Sequence, residues 1–313
     1  MSNREKNFVS GVIYVHNAEN RIEKFLKSII GVLESNFEHS EIICVDDFSD
    51  DGSVDKIKKI SLEVTTTCVS IVNMSYFHGV ELAMNAGVDM AIGDFVFEFD
   101  NTNLDFDKSV IMEIYRRSLE GYDIVSASPR KSTKLTSKLF YGVFTKFTSQ
   151  SYKMGTESFR VLSRRVINRI NSMNRTVPYR KAIYANCGLN TDNIVYTSVG
   201  GRGDGPADKK ERFYRTNLAV DALILFTEAG YSFSMTMTVL MMLMSVFMIS
   251  YSLIMYFIAH PVEGWTTTIL FFSVAFFGLF GILTIIVKYL QLLINLIFKR
   301  KYYSFKSIEK LTK

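Results

Sequence analysis

Carboxylates that follow directly on an apolar strand are placed to hold a cation, and the stretch GDFVFEFDNTNLDFD (residues 93–107) has this form. The run FVFEF is strand-forming, and Asp100, Asp105 and Asp107 come after it. Side chains alternate along a strand, so Glu98 and Asp100 share a face, with Asp100 at the strand's end. Thr102 stands where a second carboxylate would complete a pair. One carboxylate suits Mg²⁺ or Mn²⁺ if ligand phosphates, water and the Thr102 hydroxyl complete the shell. The plainer alternative is that Asp100 only caps the next helix.

Two other polar clusters follow apolar runs. One is the NAEN after FVSGVIYVH; the other is DDFSDDGS (residues 46–53) after EIICV. The second cluster is equally a capped turn, since Asp and Ser cap helices and Gly suits tight turns. The elements that must position these clusters are legible. RIEKFLKSIIGVLESNF, SVDKIKKISLEV and GVELAMNAGVDMAIG have helical spacing, and EIICV, VSIVNMS and DFVFEF read as strands between them. Such alternation predicts an α/β fold, a mostly parallel Rossmann-like sheet with helices on both faces. Ligands gather at the carboxyl ends of strands in such sheets, so Asn17, Asp46–Asp51 and Asp100 converge on one site. An ordered series of strand-end clusters in a membrane-tethered domain points to a nucleotide-sugar site.

The tether follows from composition. The chain has 313 residues, 48% of them hydrophobic, and charges become very rare between Glu228 and Lys288. Residues 232–259 and 266–287 carry no charge, and about 20 apolar residues suffice to span a bilayer. The expected organisation is a soluble domain over 1–215, an interfacial helix over 216–231, two transmembrane helices over 232–288 and a basic tail over 289–313. Lys and Arg flank this hairpin on both outer sides, whereas HPVEGW between the spans has none, which puts the catalytic domain and both termini in the cytoplasm. No signal peptide opens the chain, as expected for a cytoplasmic N-terminal domain. The net charge of +5 is concentrated beside the membrane, so anionic lipid rather than nucleic acid is the expected partner. Cys44, Cys68 and Cys187 lack metal-ligand spacing and are expected to be thiols.

The blocks VIYVHNAENRIEKFLKSI, EIICVDDFSDDGS, HGVELAMNAGVDMAIGDFVFEFD and SFRVLSRRVI, in this order, resemble family 2 inverting glycosyltransferases with a GT-A fold. The C-terminal hairpin and tail are similar to those of bacterial polyprenyl-phosphate glycosyltransferases, relatives of dolichyl-phosphate mannose synthase. The resemblance implies that Val15, His16, Asn17 and Asp47 line the base and ribose of the donor. It implies that Asp100 holds the cation bridging the donor diphosphate, and that Arg160, after Phe159, faces phosphate oxygens. The sequence departs from the family pattern at several positions. Tyr14 and His16 replace a proline and a tyrosine, Ala18 a glutamate, Thr102 the second metal aspartate, and Glu157-Ser158 a Gly-Asp pair.

The function this implies is transfer of a hexose from a nucleotide sugar, by default a UDP-sugar, to polyprenyl (undecaprenyl) phosphate at the inner membrane for cell-envelope glycans. Such an acceptor is already an anion and needs positioning rather than a strong base. Two alternatives stay open. A lipid-linked hydroxyl acceptor would need a general base, for which Glu157 or Glu98 is available. A degenerate domain would bind partners without catalysis. GGRGDGPADKK, containing Arg202, either closes over phosphates or is a linker, and RKSTKLTSKLFYGVFTKF (residues 130–147) is a surface-lying or ordinary amphipathic helix. A homo-oligomer through the hairpin is a further expectation.

Overall fold

The computed structural model describes residues 4–130, 157–172, 180–186, 188–199 and 305–312, with scattered positions between 211 and 293. Eight strands form one sheet: β1 (Val9–Val15), β2 (Ser40–Asp46), β3 (Cys68–Met74), β4 (Phe95–Phe99), β5 (Ile124–Pro129), β6 (Phe159–Ser163), β7 (Thr191–Tyr196) and β8 (Phe305–Lys310). Their spatial order is β7-β5-β6-β4-β1-β2-β3-β8. β1 pairs in parallel with β2 and β4, β2 with β3, and β5 with β7, while β6 and β8 run antiparallel to their neighbours. The expected mostly parallel sheet is thus present, with two reversed strands added.

Helices α1 (Glu19–Asn36), α2 (Ser53–Ser61), α3 (Val80–Met90) and α4 (Ser109–Leu119) alternate with the strands, followed by α5 (Arg164–Ser172) and α6 (Arg180–Asn186). Both faces of the sheet are covered, as the period-two alternation of β1 shows. Val9, Ile13 and Val15 pack with Ile22, Leu26, Ile57 and Ile114 of α1, α2 and α4. Val12 and Tyr14 pack on the other face with Ala83, Val166 and Tyr184 of α3, α5 and α6. β4 divides the same way: Phe97 and Phe99 join the first core, Val96 the second. Glu98 and Asp100 therefore project toward α3 and α6, the shared face that strand geometry predicts. Cys44 is fully buried in β2, where burial pushes its thiol up to about 12; it and Cys68 are free.

The sequence-predicted spans lie mostly outside the described residues, and among the described residues no helix is long and apolar enough to cross a membrane. The positions described between 211 and 293 are all helical. Met241 lies directly against Gly278, so the two apolar segments touch, a small residue admitting the approach. Leu243, Phe247, Phe272, Leu279 and Leu283 are each at least half exposed, an outward apolar surface on both segments. The basic segment 131–147 and Arg202 lie outside the described residues.

Candidate active site

The carboxyl ends of β1, β2 and β4 lie side by side in parallel register, with Val15 opposite Asp46 and Ile13 opposite Phe99. The loops leaving β1 and β2 are latched to one another. Asn17, at φ 46°, donates its backbone N–H to Ser49 Oγ (3.1 Å) and accepts from the Asp50 N–H through its side-chain oxygen (2.9 Å). Asp51 accepts from the Glu19 N–H at the start of α1 (2.9 Å) and from the Ser53 N–H at the start of α2 (3.0 Å). In this respect DDFSDDGS is the capped turn that its composition allowed.

Asp47 plays a similar part. It is fully buried, and it accepts the backbone N–H groups of His78 and Gly79 (each 2.8 Å) and the Tyr14 hydroxyl (3.0 Å). It thereby anchors the start of α3. Gly79 is required there, since its φ is +83° and a Cβ would overlap the ring of Tyr214. Tyr214 belongs to the helical stretch leading toward the apolar segments, so that stretch docks beside the site. Val15 is buried, and its carbonyl accepts the Asp47 N–H (2.8 Å). His16 is also buried, with Nδ1 2.8 Å from the Asp47 carbonyl and its ring tilted against Phe77. The residues expected to line the base pocket are thus together, but Asp47 is a buried anchor.

Asp46, its neighbour, is the less satisfied acid. It is 5% exposed, Oδ2 receives a long bond from the Ser49 N–H (3.4 Å), and Oδ1 has no hydrogen-bond partner among the described residues. Burial raises its pKa above the usual carboxylate range, with Ser49 opposing.

At the end of β4 the carboxylates form one buried ionic cluster. Glu98 and Arg160 are directly opposite in the antiparallel β4–β6 ladder, and Arg160 Nη1 meets Glu98 Oε2 at 2.9 Å. Arg160 Nη2 reaches Asp100 Oδ2 at 2.7 Å, and its Nε lies 3.4 Å from Glu157. α6 supplies a second guanidinium that the sequence reading did not single out. Arg180 contacts Glu98 Oε1 (2.8 Å), Asp100 Oδ1 (2.6 Å) and, through Nε, Glu81 of α3 (3.0 Å). Tyr184, one helical turn later, donates its hydroxyl to Glu98 Oε1 (2.7 Å). Both arginines are at most 1% exposed. The resemblance had Arg160 facing phosphate oxygens; in the structure its guanidinium is wholly buried and meets carboxylates.

Asp100 is the open edge of this cluster, with 16% of its side chain exposed against 0% for Glu98 and 5% for Glu157. Burial alone would raise its pKa, but the charges of Arg160 and Arg180 outweigh that and hold it well below the usual carboxylate range. It therefore stays ionised, as a metal ligand must. Among the described residues no three His, Cys, Asp or Glu side chains converge to form a cation cage, and Thr102 is buried. One open, permanently ionised carboxylate at the edge of a cluster with four acids and two guanidiniums fits a divalent cation whose remaining ligands come from substrate phosphates and water.

Residues 10–170 match the profile described as Glycosyl transferase family 2. A glycosyltransferase of Synechocystis sp. is 30% identical over 194 residues, covering 60% of each chain. A prophage bactoprenol glucosyl transferase homolog of Escherichia coli (strain K12) is 29% identical over 196 residues, covering 60% of this chain and 62% of its own. The chain thus spans about three fifths of the length of the curated relatives it matches. Among solved structures, glucosyl-3-phosphoglycerate synthase from Mycobacterium tuberculosis, crystallised with Mn²⁺, UDP and phosphoglyceric acid, is 15% identical with a TM-score of 0.48, covering 72% of this chain and 81% of its own. The family match runs from β1 through the first turns of α5 and so takes in Asp46, Asp47, Glu98, Asp100 and Arg160, and on that match the chain is an enzyme belonging to glycosyl transferase family 2.

Proposed function

We propose that the chain transfers a hexose, with inversion, from a UDP-sugar to polyprenyl phosphate at the cytoplasmic face of a bacterial inner membrane. The observation that carries the choice of acceptor is the state of the acids. A hydroxyl acceptor needs a general base, and Glu98 and Glu157 were the candidates. Glu98 is fully buried between Arg160, Arg180 and Tyr184, and Glu157 is buried against Arg160. Both side chains are turned inward onto guanidiniums, so neither is open to take a proton from a substrate hydroxyl. A phosphate monoester needs none. Its oxygen attacks the anomeric carbon, the bond from that carbon to the donor's diphosphate oxygen breaks, and the electron pair leaves with the nucleoside diphosphate. The bactoprenol named in the Escherichia coli relative is an acceptor of this lipid class.

Each part of the site has a role in this reading. Asp46, whose buried Oδ1 has no partner among the described residues, would accept a base N–H, while Asp47 keeps the start of α3 in position. Asp100 would hold Mg²⁺ or Mn²⁺ together with the donor diphosphate; a bound cation there would supply Lewis-acid stabilisation of the leaving group. The Thr102 hydroxyl is left out of that shell because the residue is buried. The membrane setting rests on two features. Outward apolar side chains on touching helical segments suit lipid contact. β8, which follows these segments, pairs with β3 of the catalytic sheet, from Ser70 opposite Lys310 to Met74 opposite Phe305. This return of β8 to the sheet supports an even number of crossings, as in the proposed two-span hairpin.

The test uses the full chain in detergent with a short-chain polyprenyl phosphate and labelled UDP-glucose or UDP-N-acetylglucosamine. The expected product is an acid-labile lipid phosphodiester with release of UDP. Transfer only to a lipid-linked sugar hydroxyl supports the elongating alternative and overturns the proposed acceptor. Absence of both transfer and donor hydrolysis across a panel of nucleotide sugars supports the non-catalytic alternative.

A further inference from the structure

Arg180 is tied to three acids from three directions. Its Nη2 grips Asp100 Oδ1 while Arg160 Nη2 grips Oδ2, so the two guanidiniums hold both oxygens of one carboxylate and fix its plane. Its Nη1 and that of Arg160 divide the oxygens of Glu98 in the same way, with Tyr184 completing the contacts. Its Nε and its own backbone N–H both bond to Glu81 Oε2, at 3.0 and 2.8 Å, in the first turn of α3. Asp47 anchors the start of that same helix. α3 thus connects the two ends of the site through Asp47 at one and Glu81–Arg180 at the other.

Stability alone is a poor account of this network. Burying ions is costly, and well-packed apolar side chains often stabilise as well or better. Buried, charge-perturbed clusters concentrate at functional sites. The one member open to solvent is Asp100, and what the network does to Asp100 is hold its orientation.

We propose that Arg180 is a positioning residue that fixes the Asp100 carboxylate for binding of the donor's metal–diphosphate group. This rests on the glycosyltransferase reading above. Arginine is needed because only a planar fork places Nε on Glu81 and both terminal nitrogens on Glu98 and Asp100 at once; a lysine brings the charge but one point of attachment. Groups that orient a metal ligand typically contribute about 10–100-fold to affinity or activity.

The test compares full-length wild type with Arg180→Lys, Arg180→Gln and Glu81→Gln in detergent. Melting temperature, calorimetric binding of UDP with Mn²⁺, and KM for donor and acceptor are measured. Arg180→Lys is expected to unfold cooperatively, bind UDP–Mn²⁺ about tenfold more weakly and raise the donor KM, leaving the acceptor KM within about twofold. Arg180→Gln should be weaker still. Glu81→Gln, which keeps a hydrogen-bond acceptor for Arg180, should shift the same two quantities by a smaller factor, and it carries the test if the Arg180 variants do not fold. A folded Arg180→Lys with unchanged UDP–Mn²⁺ affinity and donor KM overturns the proposal, as does unchanged binding in Glu81→Gln where the others are unfolded. Equal loss toward donor and acceptor also overturns it, since that marks a general structural defect. A wild type that neither binds UDP nor transfers sugar defeats the parent reading instead, before any variant is compared.

Discussion

Removing the guanidinium of Arg160 tests the buried cluster most directly. Arg160 has no solvent exposure, and it contacts Glu98 at 2.9 Å, Asp100 at 2.7 Å and Glu157 at 3.4 Å. Arg160→Met keeps much of the volume and removes the charge, leaving the cluster's four acids with Arg180 as the one guanidinium among them. Breaking a buried pair by removing one partner costs about 3–5 kcal/mol, because the other charge stays behind. For a body of this size each kcal/mol lowers the melting temperature by about 2–4 °C, which gives a fall of roughly 6–20 °C. Cys44 offers an internal probe, since it is fully buried in β2 and its thiol becomes reactive only when the sheet opens. A thiol-reactive fluorophore followed during heating of the full-length protein in detergent, in a Cys68→Ser, Cys187→Ser background, reads that opening. Glu157→Gln is the control: it removes the longest of the three contacts and one of the surplus acids, so its shift should be less than half as large. A melting temperature for Arg160→Met within about 2 °C of wild type would show that the cluster is solvated and would refute the reasoning.

Asp46→Asn is expected to stabilise the protein at neutral pH by roughly 0.5–2 kcal/mol while weakening donor binding, the usual exchange at a functional group. Because burial raises the folded pKa of Asp46 above its unfolded value, the folded state loses stability as pH climbs from the unfolded to the folded pKa, and the full cost remains above it. The gain should therefore vanish at acid pH, and melting curves at several pH values check this; a gain independent of pH contradicts it. Metal stripping with EDTA should abolish transfer, and Mg²⁺ or Mn²⁺ should restore it. Calorimetry should show saturable Mn²⁺ binding only with UDP present, since the protein offers one open carboxylate; tight binding of Mn²⁺ alone, or full activity of Asp100→Asn, speaks against that site. Reporter fusions at Lys313 and after Glu263 should place the first in the cytoplasm and the second outside. A periplasmic Lys313 would refute the proposed cytoplasmic placement, and a Lys313 on the opposite side from the catalytic sheet is incompatible with β8 on β3.

The first half of the sheet was legible because its signals are local. β1 to β4 are short β-branched or aromatic runs between helices of clear 3.6 periodicity, and each loop between them holds polar residues suited to a turn. The later strands carry weaker local signals. β6 is recognisable only as the block SFRVLSRRVI, and its antiparallel place beside β4 depends on pairs such as Phe99–Phe159 that are far apart in the chain. β8 is less legible still. FKSIEK lacks the alternation of a strand, since its apolar residues Phe305 and Ile308 are three positions apart, and it follows a basic tail and pairs with β3 from the far end of the chain. Its contacts there are specific: Asn73 bonds to Ser307 at 2.9 Å, and Lys58 of α2 meets Glu309 at 2.7 Å.

The site divides along the same line. Strand alternation alone put Glu98 and Asp100 on one face, and that is where they lie. What alternation cannot supply is the partner across the face. Arg160 was singled out only through the family resemblance, which gave it phosphate oxygens, whereas the β4–β6 register sets it opposite Glu98. Arg180 sits in VPYRKAIYA, a stretch without a motif, and Tyr184 four residues later was the one available hint. The spacing i, i+4 puts an arginine and a tyrosine on one face of a helix, and a buried strand glutamate such as Glu98 must find cations and hydroxyls somewhere. An unpaired acid inside a predicted core strand is thus a demand that the rest of the sequence has to meet. The residues that meet it here, Arg160, Arg180 and Tyr184, come from two later elements that local periodicity does not connect to β4.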